Sequence, residues 1–181
     1  KTAGFFARVG MRAMGDNDLL VCVKDELQNE GFTIHAIQDF VEELLTPAGL
    51  LGRVKPSAKN RVDIERGIEA CLGIGALDIG QSVVVQEGIV LGVEAAEGTD
   101  ALIRRCKALK RKGSGAVLVK LCKPGQDTSL DLPTIGLDTI RLCAECGFDG
   151  IVIHAGQSLL IDAQEVVELA DRNKMFIMGY E

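Results

Sequence analysis

Tryptophan is absent from the chain and tyrosine occurs once, so the aromatic platforms on which nucleic-acid bases stack are scarcely supplied. A surplus of positive charge is missing too: 20 Lys and Arg stand against 26 Asp and Glu, a net charge of −6. A general nucleic-acid binder displaces counterions with basic side chains, so that class is excluded. No apolar run reaches the roughly 18 residues that a membrane-spanning helix needs. The start at Lys1 shows no charged-then-apolar leader, and no signal peptide is expected. The chain has no Gly-x-x-x-x-Gly-Lys-Ser/Thr, which excludes a P-loop, and no Gly-x-Ser-x-Gly, which removes the usual hydrolase elbow. Internal repeats and low-complexity tracts are likewise missing.

What is present is a chain of 181 residues, 47% hydrophobic and 25% charged. That balance belongs to a globular protein with room for a sizeable core, in one large domain or two small ones. Six cysteines invite a disulfide reading, but a long aliphatic chain without a secretion signal points to reduced thiols in a cytosol. Cys143 and Cys146 have half the spacing of a zinc or redox site. No second pair accompanies them, and their neighbours are apolar, so they read as core.

Helical spacing is expected over residues 2–14 and again from Leu19 to Glu30, with the Asp16-Asn17-Asp18 cluster as a cap. Gly31 ends that helix, and residues 32–37, with His35, predict a strand. The strand that should open such a unit is missing, so the chain reads as beginning partway through a domain. Residues 39–45 predict a short helix stopped by Pro47, and residues 46–56 a loop. Ser57 is expected to cap a helix running to about residue 74, ended by Gly73 and Gly75. In the second half, residues 82–85 and 89–95 predict a hairpin across Glu87-Gly88. A basic helix follows to about residue 112, with Thr99 as its cap. Strands over 116–121, 150–155, 159–161 and 176–180 then alternate with helices over 134–146 and from Asp162-x-x-Glu165, a capping pattern, to 172. His154 reads as a packed strand residue. The class is α/β. We expect a partial, Rossmann-like N-terminal α/β domain (1–56), a linker helix (57–80) and a mixed α/β C-terminal domain (81–181) that carries catalysis.

Chemistry is expected first in the loop that follows the strand 116–121, because open α/β sheets place ligands past their strands' carboxyl ends. The loop holds Asp127 and Asp131, Lys123, Gln126 and several hydroxyls, with Lys120 just before it. Two loop carboxylates can share Mg²⁺ or another divalent cation, which keeps waters for a substrate phosphate. Lys120 and Lys123 suit phosphate oxygens as point charges. Thr134, after Pro133 at an expected helix start, offers an anion seat. The alternative is a solvated turn whose Asp residues bond their own backbone. The second candidate is the run Glu94, Glu97, Thr99, Asp100. Glu97 and Asp100 could hold a metal or its water, or could simply complement the helix's positive end. Arg104 could bind phosphate or balance those acids.

The segments Gln86 to Asp100, Lys123-Pro-Gly-Gln-Asp127 and Asp131-Leu-Pro-Thr-Ile-Gly136 resemble the LpxI family. Gly15-Asp-Asn-Asp-Leu-Leu20, Leu45-Thr-Pro-Ala-Gly-Leu50 and Ala76-Leu-Asp-Ile-Gly-Gln81 extend the resemblance over nearly the whole chain. Those proteins are UDP-2,3-diacylglucosamine pyrophosphatases of lipid A synthesis in Gram-negative bacteria. The resemblance implies a Mg²⁺-dependent hydrolysis that gives 2,3-diacylglucosamine 1-phosphate (lipid X) and UMP, with attack at the phosphorus nearer the sugar. It implies an essential aspartate, for which Asp127 and Asp131 are the matching positions. It also implies two α/β domains with substrate between them, a homodimer, and a cytoplasmic enzyme that visits the inner membrane. The expected metal ligands are Asp127, Asp131, Glu97 and Asp100. The expected phosphate contacts are Lys120, Lys123, Gln126, Thr134, Thr99 and Arg104. Family members open on a Gly-rich strand and loop, whereas this chain opens on an expected helix. A glycolipid-phosphate or nucleotide-binding module without catalysis is therefore the alternative expectation.

Overall fold

Three valine-rich and isoleucine-rich runs set the architecture. In Ser82–Gln86, Ala116–Lys120 and Phe148–His154 nearly every residue is buried, as strands covered on both faces require. The computed structural model describes residues 16–181, with side chains from residue 18. The helix expected over residues 2–14 lies outside the described residues. In chain order the elements are α1 (Asp16–Asn29), β1 (Gly49–Leu50), α2 (Ala58–Ala76), β2 (Ser82–Gln86), β3 (Ile89–Val93) and α3 (Thr99–Leu109). They continue with β4 (Ala116–Lys120), β5 (Thr134–Ile135), α4 (Leu137–Glu145), β6 (Phe148–His154), β7 (Leu159–Leu160), α5 (Ala163–Arg172) and β8 (Phe176–Tyr180). Six strands form one mixed sheet in the order β1-β8-β6-β4-β2-β3, and β5 pairs with β7 in a second, two-stranded sheet. The expected α/β class is what the structure shows.

Strands β4, β6 and β8 run parallel, while β2 is antiparallel to both β4 and β3. The hairpin between β2 and β3 turns on Glu87 (φ 51°) and Gly88 (φ 76°), the two successive positive-φ residues that a tight hairpin favours. Alternation divides the core. Val83, Val85, Val117, Val119, Val152 and Phe176 face α2, where Ile64 and Cys71 meet them. Val84, Leu118, Ile151, Ile153 and Ile177 face α3, α4 and α5 through Leu102, Ile140, Cys143 and Val166. Helix α2, expected as a linker, is thus one outer layer of the sheet, and β1 is an edge strand of that same sheet.

Several local expectations are corrected. Residues 32–37 form no strand, and His35 sits in a loop with its ring edge-on to Phe40. The helix expected over 39–45 is two 3-10 turns, Ile37–Asp39 and Glu42–Leu44. Gly73 and Gly75 do not end α2. A Cβ on Gly75 would sit 3.0 Å from Pro124 Cδ, so this glycine lets the loop after β4 lie against the helix. Thr134 belongs to β5, and α4 starts three residues later, so no helix N-terminus presents Thr134 to an anion. Thr99 is the first helical residue of α3 and Gly98 the N-cap. Asp162 does cap α5 by position, but in a left-handed conformation (φ 54°) and with no side-chain cap bond.

Gly150 lies opposite Phe176 in the β6–β8 pairing, and a Cβ there would come within 2.4 Å of the buried Phe176 ring. Gly150→Ala is expected to lose about 1–3 kcal/mol through overpacking. Urea unfolding should show a lower midpoint at unchanged slope; an unchanged midpoint would contradict this packing.

Candidate active site

The β2–β4 register sets Ser82 opposite Lys120. Because β2 runs antiparallel, its first residue therefore lies at the C-terminal end of β4. Glu94 follows β3 and donates its backbone N–H to the Ser82 carbonyl at 2.8 Å, and so arrives at the same edge. Thr99 opens α3 beside them. Lys120 Nζ donates to Thr99 Oγ1 at 2.7 Å, and Thr99 Oγ1 donates to Glu94 Oε1 at 2.8 Å. Ser82 Oγ lies 3.2 Å from Thr99 Oγ1, and the Gln81 backbone N–H donates to Glu94 Oε2 at 3.2 Å. Lys120, Glu94 and Ser82 are all at least nine-tenths buried.

Burial is the main influence on Lys120 and pulls its ammonium below the usual lysine range; Glu94, Asp131, Cys71 and Asp100 oppose the shift. An ammonium so enclosed is costly unless an anion completes its surroundings. Cys71, on the α2 face below, is pushed up to about 12 by burial and stays a neutral thiol. All six cysteines are free, and Cys143 and Cys146 are buried in the core, as the sequence suggested.

The loop from Cys122 to Pro133 is tied down by its own side chains. Gln126 Oε1 accepts from the Lys123 backbone N–H at 3.0 Å, while Gln126 Nε2 donates to the Asp131 carbonyl and carboxylate, both at 3.2 Å. Lys123 Nζ pairs with Asp78 just past α2. The Asp131 backbone N–H donates to the Asp127 carbonyl at 3.4 Å, which puts both aspartates on one turn. Asp127 is reached from far away in sequence: Lys24 Nζ of α1 donates to its Oδ2 at 2.6 Å and to Ser129 Oγ at 2.8 Å. Asp127 Oδ1 accepts from the Ser129 backbone N–H at 3.0 Å and hydroxyl at 2.6 Å. The Lys24 hydrogen bond, followed by that of Ser129, holds the Asp127 carboxyl below the usual aspartate range. A cavity of about 380 Å³ opens beside this loop, lined by Asp18, the end of α2 from Gly75 to Asp78, and Lys123 to Gln126.

The structure therefore brings together Lys120 with Thr99, Lys123 with Gln126, Gln126 with Asp131, and Asp127 with Asp131 on one turn. Arg104 stands apart, exposed on α3 and paired with Asp100 one turn away at 3.4 Å. Glu97 is bound by Arg105 at 2.6 Å and by the Ala95 backbone N–H at 3.1 Å. Thr134 Oγ1 donates to the Leu132 carbonyl at 3.0 Å. Among the described residues no three His, Cys, Asp or Glu side chains gather as a metal site. The four expected ligands thus form no single cluster, and Glu97 and Asp100 already carry arginines. The Asp127–Asp131 turn offers two acids on one backbone turn, of which Asp127 likewise carries a cation, Lys24. Mg²⁺ takes one or two carboxylates and completes its shell with water and phosphate, so these residues fit it where Lys24 cedes Asp127.

Sequence reasoning placed Glu94 in the second candidate run without a role of its own, and gave Ser82, Asp78 and Lys24 none. Ser82, a buried hydroxyl at the head of an all-valine run, carried a weak signal. Lys24 carried none, since it reads as the polar face of a helix. A larger cavity of about 720 Å³ lies by the tip of β6, beside His154 and the acids Glu42, Glu43 and Glu181. His154 is lowered from the usual histidine range by burial and packs near Tyr180.

The family model of the LpxI C-terminal domain matches residues 47–178. The chain belongs to the LpxI family. A relative from Caulobacter vibrioides, UDP-2,3-diacylglucosamine pyrophosphatase LpxI, is 43% identical over 173 residues, which covers 92% of this chain and 62% of the relative. The chain thus spans somewhat less than two thirds of that LpxI protein. The β-sheet up to Met178, the buried Lys120 cluster and the Asp127–Asp131 turn lie within the matched LpxI domain, while Lys24 lies before it.

Because Asp127 titrates below its unfolded value, the Lys24 tether contributes stability above the ordinary aspartate range and loses it only as pH falls through the depressed value. Hydrogen exchange of α1 is expected to stay slow through mild acid and to quicken below that value. A Lys24→Met variant should exchange faster already at neutral pH. Exchange unaffected by either change would contradict the tether.

Proposed function

We propose that this chain hydrolyses the diphosphate of UDP-2,3-diacylglucosamine, with a divalent cation, to 2,3-diacylglucosamine 1-phosphate and UMP, a step of lipid A synthesis. The observation that carries the reading is Lys120: an ammonium buried at a strand tip, facing a loop whose two carboxylates share one turn. The name of the Caulobacter vibrioides relative supports the same substrate.

Lysine has three N–H donors; Thr99 takes one from Lys120, and the other two suit non-bridging oxygens of the diphosphate. In a poorly solvated place that charge acts far more strongly than in water. Lys123 stands at the mouth of the loop, held by Asp78, and adds a second positive point. Asp127 and Asp131 would hold the cation, which supplies charge neutralisation to the diphosphate when bound. Water adds to the phosphorus nearer the sugar, the bond from that phosphorus to the bridging oxygen breaks, and UMP leaves. Phosphoryl transfer of this kind depends chiefly on positioning and electrostatics. The 380 Å³ cavity is lined by Lys123 and Gln126 of the same loop, with Asp78 and Asp18. The substrate's acyl chains would bring the protein to a membrane surface; among the described residues no helix is long and apolar enough to cross one.

Asp127→Ala and Asp131→Ala are each expected to cut UMP release by roughly 100-fold or more with the fold retained, Asp127→Ala at a lowered unfolding midpoint because the Lys24 tether goes with its carboxylate. Chelation with EDTA should abolish release and added Mg²⁺ restore it. Near-wild-type rates in both variants would overturn the assignment of the loop, and full activity in EDTA would overturn the cation.

A further inference from the structure

We infer that Glu94 is a positioning residue for this hydrolysis, aiming the Lys120 ammonium at the phosphate through the hydroxyl of Thr99. The inference rests on the reading of Lys120 as a phosphate contact and extends it by one side chain and one relay.

The direction of every hydrogen in the cluster follows from Glu94. A carboxylate only accepts. Thr99 has a single hydroxyl hydrogen, and it goes to Glu94 Oε1 at 2.8 Å. The Thr99 oxygen must then face its other neighbours as an acceptor. It receives Lys120 Nζ at 2.7 Å, and the Ser82 hydroxyl at 3.2 Å is left as a donor to it. Glu94 Oε2 is fixed separately by the Gln81 backbone N–H at 3.2 Å, so the carboxylate cannot swing away to another partner at little cost. Remove the carboxylate and Thr99 is free to rotate its hydrogen toward Lys120, which turns an acceptor into a competing donor. The lysine side chain has several rotatable bonds, and this acceptor is its hydrogen-bond anchor among the described residues.

The environment also argues against a purely structural role. A buried ion pair is weak support for stability, because desolvation offsets the attraction. Here the cation and the carboxylate are separated by a hydroxyl, which forgoes direct pairing and leaves two ammonium hydrogens pointing elsewhere. An arrangement built to present an ammonium holds it from one side, as this one does.

The test uses the full chain with Glu94→Ala, Glu94→Gln, Thr99→Val and the double variant Glu94→Ala/Thr99→Val. Two readouts are needed: kcat and KM for UMP release, and the ¹H–¹⁵N signal of the Lys120 ammonium. Glu94→Ala and Thr99→Val are each expected to lower kcat by roughly 10- to 100-fold and to raise KM by less than Lys120→Met does. The double variant should be no slower than the worse single one, since both break one relay. Glu94→Gln keeps a carbonyl acceptor for Thr99 and should recover most of kcat. The ammonium signal should broaden or shift in Glu94→Ala and Thr99→Val and return in Glu94→Gln. Wild-type kcat in Glu94→Ala, or multiplying losses in the double variant, would overturn the inference. If Glu94→Ala does not fold, Thr99→Val and Glu94→Gln decide it alone. Lys120→Met separates the two levels: full activity in that variant sinks the functional reading, whereas an inactive Lys120→Met beside a fully active Glu94→Ala sinks only the relay. If wild type releases no UMP, the functional reading fails, and an ammonium signal indifferent to Glu94 removes the relay as well.

Discussion

An ammonium taken out of water must be compensated by its surroundings, and the way this chain compensates Lys120 shapes the whole edge of the sheet. The compensation arrives from three directions. Thr99 supplies the oxygen from the start of α3, Glu94 supplies charge from the end of β3, and Asp131 supplies charge from the loop. Each is present because of strand direction. Were β2 parallel to its neighbours like β4 and β6, its other end, at Gln86, would lie beside Lys120. The antiparallel hairpin appended to a parallel sheet brings Ser82 and Glu94 to the edge where the parallel strands end. A feature of topology is thus the source of the chemistry.

The loop after β4 completes the site by being held in three places. Gln126 ties it to itself, Lys123 ties it to Asp78 beyond α2, and Lys24 ties it to α1. Gly75 lets the loop approach α2 closely, which is why a glycine persists inside a helix where its backbone freedom is a cost. The tie to α1 means that residues before the matched domain take part in setting Asp127, although among the described residues none before Gly49 contributes a strand to the sheet.

Much of this was legible in the residues. Runs such as 116–119 and 83–85 are apolar throughout, and Glu87-Gly88 reads as a hairpin turn between two such runs. The loop reads as a candidate site because polar and acidic groups gather just past a strand end. What escaped was of two kinds. Two-residue strands such as β1 and β5 carry no periodic signal and exist only because a partner strand is nearby. Residues 32–37 failed in the opposite way: the apolar alternation is there, but among the described residues no strand pairs with it. The Lys24–Asp127 contact joins residues 103 apart in sequence, a relation that no local pattern encodes. Glu97 and Asp100 are engaged by arginines for a physical reason. Acids at a helix start suit its dipole and pair with arginines one or two turns on, which is where the structure leaves them.

The most direct measurement of the account is the affinity of 2,3-diacylglucosamine 1-phosphate for wild-type protein and for Lys120→Met, taken by calorimetry at fixed salt. Methionine preserves the length and packing of the buried stem and removes the charge. The account predicts that binding weakens at least about 10-fold, some 1.4 kcal/mol, with the fold intact. Equal affinity in a folded Lys120→Met variant would contradict it.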